Sequence, residues 1–418
     1  MDNQDQKFGS VVFAQLSAMM FLQFFLWGAW YVSMGPYMAD NGMDELIKWA
    51  YTVGPIAAIA SPFFLGMIAD RFFASERVLG VLHLLGGACL LVAPTAASQD
   101  GKLFIVAILA HMLCYMPTLG LTSSLAMHNM TNSEKQFPLI RVFGTIGWIV
   151  ANLVISSLSF DKSPNMFYVA GGSGVLLGVI SFALPHTPAP SKGKAFSVRD
   201  ALGLDSLVLL KKPSFLVFSV CSFLVCIPLA AYYAYAGTFV GDMGIEKITG
   251  VMSIGQMSEI LFMLVIPLLF VRLGVKWMLA IGMLAWVVRY GLFAGAAIDQ
   301  TMWMIVGGIA LHGICYDFFF VTGQIYVDNE SGPKIRGQAQ GFFVLLTQGL
   351  GMLIGAQLMG EIFARSKDAA TDAVDWQSLW MYPAGFALIV LIVFVLLFRD
   401  KKIAADAEDL AETEPVLP

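Results

Sequence analysis

Charge is what this sequence has least of. Only 13% of its 418 residues are Asp, Glu, Lys or Arg, against 58% hydrophobic, and the mean hydropathy is +0.75. A soluble domain carries about 25% charged residues, so this chain cannot coat itself for water, and the bilayer is the solvent that suits it. Cysteine is scarce too. Cys89, Cys114, Cys221, Cys226 and Cys315 all fall inside apolar stretches without metal-ligand or disulfide spacing, and read as inert packing residues. None of the histidines (His83, His111, His128, His186, His312) pairs with another at ligand spacing. That leaves no metal site and speaks against a membrane enzyme, which needs clustered His, Asp or Glu near one leaflet. No loop is long enough for a sensor domain. The N-terminus lacks a cationic n-region and a small-residue cleavage site, so no removable signal peptide is expected.

What is present is a series of apolar runs, at 11–39, 46–69, 78–97, 103–130, 139–159 and 165–186, then at 213–241, 250–271, 275–297, 302–327, 337–363 and 376–398. A span takes roughly 20 residues, and hydrocarbon tolerates only segments that pair their own backbone groups. The expectation is therefore an all-α membrane protein with twelve transmembrane helices. Residues 187–212, with prolines, lysines and Ser197, divide an N-terminal six-helix bundle (1–186) from a C-terminal one (213–398). Residues 399–418 carry Asp406, Glu408, Asp409, Glu412 and Glu414 and read as a disordered acidic tail. Lys48, Lys102, Lys162, Lys247, Arg365 and Lys367 fall on one side, Arg141 and Arg289 lie within spans, and every other Lys and Arg falls on the opposite side. That bias places both termini and the 187–212 linker in the cytoplasm.

A weak internal echo links the halves. Gly66-Met-Ile-Ala-Asp70-Arg71, with Arg77, follows the second run, and Val271-Arg272-Leu-Gly274-Val-Lys276 follows the eighth. Two six-helix halves in parallel repeat are the pattern of major facilitators. The first copy resembles that superfamily's G-x-x-x-D-R loop, with extra residues before Arg77, and implies a charge clamp between helix ends.

Ionisable groups within spans cost at least about 2.5 kcal/mol each at mid-helix, so each invites a functional reading. Arg141, Thr145, Trp148 and Asn152 recur at i, i+4, i+7, i+11, which puts a cation, hydrogen-bonding groups and a ring on one helix face. Arg141 is also placed to snorkel to the interface. Gln256 and Glu259 stand at i, i+3 with Ser253 on the same stripe. Desolvation disfavours a charged carboxylate, which makes Glu259 a natural proton carrier, unless a structural partner neutralises it. Asp317, beside His312 and Tyr316 with Gln324 further along, fits either a coupling acid or a salt-bridge partner of Arg141. His312 fits a packed neutral histidine as well as a site residue. Gln23, Trp27 and Trp30 share a face in the first run, as do His111, Tyr115 and Thr118 in the fourth; packing explains such stripes as readily as binding does. Tyr232, Tyr233 and Tyr235 follow Pro228 and need partners for their hydroxyls. Arg289 reads as scaffold or interface.

The segments Phe21-Leu-Gln23-Phe-Phe-Leu-Trp27-Gly28-Ala-Trp30, Tyr115-Met-Pro117-Thr118-Leu-Gly-Leu and Arg141-Val-Phe-Gly144-Thr145-Ile-Gly147-Trp148 resemble the bacterial nucleoside:proton symporters of the major facilitator superfamily. Met252-Ser-Ile-Gly-Gln256-Met-Ser-Glu259 and Tyr316-Asp317-Phe-Phe complete the set. The resemblance implies proton-coupled nucleoside uptake across the bacterial cytoplasmic (inner) membrane by a chain acting as a monomer, with no cofactor and no nucleic-acid partner. It implies substrate contacts from Arg141, Thr145, Gln256 and Glu259, and coupling through Glu259 and Asp317; the stripes above add Gln23, Trp27, Tyr115, Thr118, Trp148, Tyr233, His312 and Tyr316. The sequence departs from the family where a Gln and an Asn are usual in the seventh span, here Ala230 and Tyr233, and at Trp148, where a phenylalanine is usual. An importer of another sugar-containing solute is the alternative. A drug exporter fits less well, since it favours a larger, more apolar cavity.

Overall fold

The apolar runs form helices whose backbone groups are paired internally, the condition hydrocarbon imposes. The computed structural model describes residues 9–64, 72–189, 203–332, 334–368 and 370–399, together with Ser197 and Arg199. Of the loop motif, only Arg77 is described, and it is exposed; Gly66, Asp70 and Arg71 lie outside the described residues, as does the tail after Arg399.

The N-terminal helices are α1 (Ser10–Asp40, turning at 32–33), α2 (Ile47–Phe64), α3 (Ser75–Gln99), α4 (Gly101–His128), α5 (Ser133–Ser157) and α6 (Asn165–Ser181). α7 (Pro213–Asp242) opens the C-terminal set. The long helix Ile248–Asp299 breaks at Gly274 into α8 (248–273) and α9 (275–299). Gly274 has φ +66°, a conformation that costs glycine little and other residues much, so the chain reverses there within one residue. α10 (Met302–Glu330), α11 (Arg336–Arg365) and α12 (Trp376–Leu397) follow. Among the described residues nine helices are long and apolar enough to cross a membrane.

Packing sorts the helices into two halves. In the first, α1 lies against α5 and α6, α3 against α4 and α6, and α2 against α4. In the second, α7 lies against α11 and α12, and the Ile248–Asp299 helix against α10 and α12. The halves meet through α1–α7, α2–α11 and α5–α8. The starts of α1 and α7 and the ends of α6 and α12 share one end of the molecule, where Gln15 donates to the Ala183 carbonyl and Ser214 to the Arg399 carbonyl; we call this the terminal face.

The polar ties between the halves run along the opposite, far face. The Thr249 amide and hydroxyl both reach Asp161 Oδ1 at 2.6 Å, so a buried carboxylate of the first half caps the start of α8. Gln357 donates to Thr52 at 2.7 Å, Lys48 pairs with Glu361, and Lys367 lies 3.5 Å from Asp44. Here α1 and α7 approach so closely that a Cβ on Gly35 would stand 2.8 Å from the Ala234 carbonyl oxygen, and one on Gly237 2.8 Å from that of Val32.

On the terminal face several ties lie within a half. Glu76 accepts from His186 and from the Thr187 amide, which clasps the start of α3 to the end of α6. The linker enters a short 3-10 helix, Leu204–Lys211, and docks on α11 through reciprocal 3.1 Å hydrogen bonds between Asp205 and Gln338. Bonds from Gln338 and Arg199 hold the Asp205 carboxyl below the usual carboxylate range.

Candidate functional site between the halves

α5 and α8 cross beside each other where the halves meet, and the polar stripes of both converge there. Arg141, Thr145 and Trp148 are half-buried on α5, as are Gln256 and Glu259 on α8. Near the far face the space narrows to an apex lined by Tyr31, Trp148, Tyr232, Tyr233, Met252 and Gln256. The rings interlock: Trp148 meets Trp27 edge-on at 5.3 Å between centroids, and Tyr31 reaches Tyr233 across the half–half boundary at 5.9 Å. The apex encloses about 20 Å³, and a water needs roughly 10–15 Å³. A solute larger than water therefore sits on the terminal side of these rings or moves them.

Below the apex stand the charges. The Arg141 guanidinium lies 4.3 Å over the Phe24 ring, with Glu259 and Tyr316 within electrostatic reach, and Arg141 and Glu259 form no direct ion pair. Of the two readings of Asp317, the salt bridge to Arg141 is absent. Asp317 is fully buried on α10, both carboxyl oxygens lack a partner, and its charged neighbour is Glu259 rather than Arg141. It opens a π-helical turn, Asp317–Val321. Such a turn shifts the register of everything after it and is frequent at functional sites.

Other expected site residues fall elsewhere. Gln23 and Thr118 are fully buried inside the first half. The Gln23 amide donates to Thr118 Oγ1 at 2.7 Å and its carbonyl oxygen faces His83 Nε2 at 2.7 Å. Tyr115 donates to the Gln23 backbone carbonyl at 2.8 Å. These three are interior scaffold in this conformation, because their polar groups engage one another rather than the space between the halves. Trp30 likewise turns inward against His111 and Phe167. Asn152 donates to the Trp148 carbonyl and Ser253 to that of Gly250, both helix-internal bonds. His312 is buried on α10, stacked on Tyr232 at 5.3 Å and tilted against Tyr316 at 5.8 Å. Ala230 faces Gly355 of α11, on which a Cβ would stand 2.8 Å away, so Tyr233 alone of the two departures reaches the apex. Arg289 is fully buried, which removes the interface reading. Tyr31 was missed from sequence, although it stands one helical step (i+4) from Trp27.

An all-helical membrane protein whose halves touch at one end and enclose a polar, aromatic-walled space has the build of a secondary transporter related to the major facilitator fold. The nucleoside H+ symporter family model matches residues 11–403. The chain is 40% identical to YegT of Escherichia coli (strain K12), provisionally named a nucleoside transporter, over 96% of this chain and 98% of that one. It is 30% identical to the xanthosine permease of the same organism, over 92% and 95%. A crystal structure of the nucleoside transporter NupG superposes with a TM-score of 0.83 at 30% identity, over 93% of this chain and 99% of that one. The chain belongs to the nucleoside H+ symporter family. It is a non-enzymatic, multi-pass protein of the bacterial inner membrane that couples nucleoside transport to protons by alternating access.

Proposed function

We propose that this transporter imports nucleosides with protons, binding them between α5 and α8 on the terminal side of the aromatic apex. One observation carries the reading: an amide whose oxygen has no partner (Gln256) lines the apex with the rings of Trp148 and Tyr233, and on the same two helices a planar cation (Arg141) and a carboxyl group (Glu259) stand within electrostatic reach of each other. A nucleoside asks for this combination, with ring faces for its base and directional polar groups for ribose and base edge. Arg141 offers a fork that a point charge cannot copy. Thr145, one turn from it, offers a hydroxyl. Tyr316 and His312 complete the wall toward α10.

In this reading Glu259 and Asp317 carry coupling. A buried carboxyl group is cheap to hold protonated, and an ionised one without a partner costs several kcal/mol. Gain or loss of a proton at this pair therefore changes which packing of the two halves is stable. The chain is arranged as two six-helix bundles, 1–186 and 213–398, making twelve spans joined by the 187–212 linker, with both termini and the tail cytoplasmic. The far-face ties then make this conformation one that opens inward. Tyr233 at the apex, with Ala230 turned into α11, favours a nucleoside range of its own.

The test is uptake of radiolabelled uridine into proteoliposomes under an imposed pH gradient, competed by a panel of nucleosides and sugars. Accumulation that follows the gradient and is blocked by nucleosides supports the reading. Dependence on sodium, mere equilibration, or competition by sugars alone sinks it.

A further inference from the structure

Arg289 is the side chain that the mechanism above leaves unused. It sits on α9, a helix that contributes nothing to the apex lining, and is fully buried. Its Nε donates to the Gly308 carbonyl at 2.9 Å, while Nη1 and Nη2 have no partner. Its guanidinium carbon lies 4.1 Å from the centre of the Tyr232 ring. A buried, incompletely bonded guanidinium is expensive, and an apolar side chain of similar size would fill the space at lower cost. One hydrogen bond and one cation–π contact are weak grounds for keeping it as scaffold alone. What the cation touches is informative. Tyr232 lines the apex and stacks on His312 with the two rings 19° from parallel. Gly308 belongs to α10, one helical stretch before His312. Gly255 of α8 packs on the His312 side chain, where a Cβ would stand 3.1 Å from the His312 Cβ. One side chain from an outer helix thus pins a ring of α7 and the backbone of α10, two of the helices that wall the site.

We propose that Arg289 is a positioning residue for substrate recognition, fixing Tyr232, and through it the His312 ring, as the wall against which the solute rests. This rests on the reading of the space on the terminal side of the apex as the substrate site. Lysine would keep the charge but lose the planar fork that bonds Gly308 and covers the ring at once.

The experiment measures uridine dissociation constants and thermal midpoints for purified full-length wild type, Arg289→Met, Arg289→Lys, Tyr232→Leu and the double variant Arg289→Met/Tyr232→Leu. Groups that act as a unit give non-additive losses. Arg289→Met is expected to weaken binding by about tenfold, Arg289→Lys by less, and the double variant no more than Tyr232→Leu alone. A purely structural role would lower the midpoint while folded protein bound normally, or would give losses that multiply. Either result overturns the proposal, as does folded Arg289→Met binding within about twofold of wild type. If Arg289→Met is not recovered folded, Arg289→Lys is judged by the same criteria, alone and combined with Tyr232→Leu. A wild type that binds no nucleoside overturns the substrate reading by itself, before any variant is considered.

Discussion

Around Gln23 in the N-terminal half the buried polar groups engage one another, whereas around Asp317 and Arg289 in the C-terminal half they are left open. Gln23, His83, Thr118 and Tyr115 form one hydrogen-bonded chain across α1, α3 and α4. Asp317, Arg289 and His312, buried just as deeply across α9 and α10, keep both carboxyl oxygens, both terminal guanidinium nitrogens and one ring nitrogen without partners. A satisfied buried network rigidifies a core, and a partly satisfied one is unstable to any alternative that pairs it. The first half therefore has the makings of a fixed body, and the second carries groups whose state can change. The first half leaves groups open too, among them one ring nitrogen of His111, the indole of Trp148, which lines the apex, and that of Trp27, which packs on Trp148.

The sharpest way to break this comparison is to neutralise the open side. Glu259→Gln and Asp317→Asn are expected to abolish uptake against a gradient in proteoliposomes, with at least one variant still binding substrate. Normal accumulation by both would show that the unpaired carboxyls are not where protons couple.

The closed side should answer in stability instead. Gln23→Ala strands the His83 ring nitrogen, at about 2 kcal/mol for an unsatisfied buried group, while Thr118 keeps its bond to the Tyr115 carbonyl. The thermal midpoint should fall while the affinity of folded protein stays near wild type. Lost affinity with an unchanged midpoint would return Gln23 to the binding site and erase the contrast.

At the boundary between the halves, Trp148→Ala removes a ring that lines the apex and meets Trp27 and Tyr31. Substrate binding measured on purified protein should weaken about tenfold, or 1.4 kcal/mol. Arg141→Lys is expected to weaken it in the same direction. Wild-type affinity in both would move the site away from α5.

The geometry of α1 shows how far the sequence could be read. Apolar run length settled the helices, because hydrocarbon leaves the backbone little choice. Periodicity then grouped Gln23, Trp27 and Trp30 on one face, and that grouping was too coarse. At about 100° per residue, Trp30 returns to within roughly 20° of Gln23, whereas Trp27 is about 40° and Tyr31 about 80° further round. Gln23 and Trp30 accordingly face the interior, while Trp27 packs against Trp148 and Tyr31 lines the apex. A stripe has two edges, and one sequence does not say what each edge meets. The stripes on α5 and α8 were legible because those helices face each other across the boundary. The surroundings of Asp317 were not, since they depend on how the Asp317–Val321 turn packs against the Ile248–Asp299 helix.

The smallest expected effect concerns the far-face contacts that join the two unlike halves. Glu361 is 57% exposed and Lys48 22%, so water screens the pair, and exposed pairs contribute about 0–1 kcal/mol. Lys48→Met should therefore leave folding and substrate affinity nearly unchanged. Yet the pair exists only while α2 and α11 touch, so even a fraction of a kcal/mol acts wholly on the balance between this conformation and one open at the far face. A shift of about 0.5 kcal/mol changes that ratio by roughly twofold. Accessibility of a cysteine replacing Thr238, a buried side chain of α7 that faces Gly35 of α1, should rise by that order in membranes carrying Lys48→Met. Asp161→Asn, which weakens a buried cap on α8 rather than an exposed pair, should raise it further. If neither change alters accessibility at position 238, the far-face contacts do not hold the halves together, and packing of α1 on α7 alone sets the conformation.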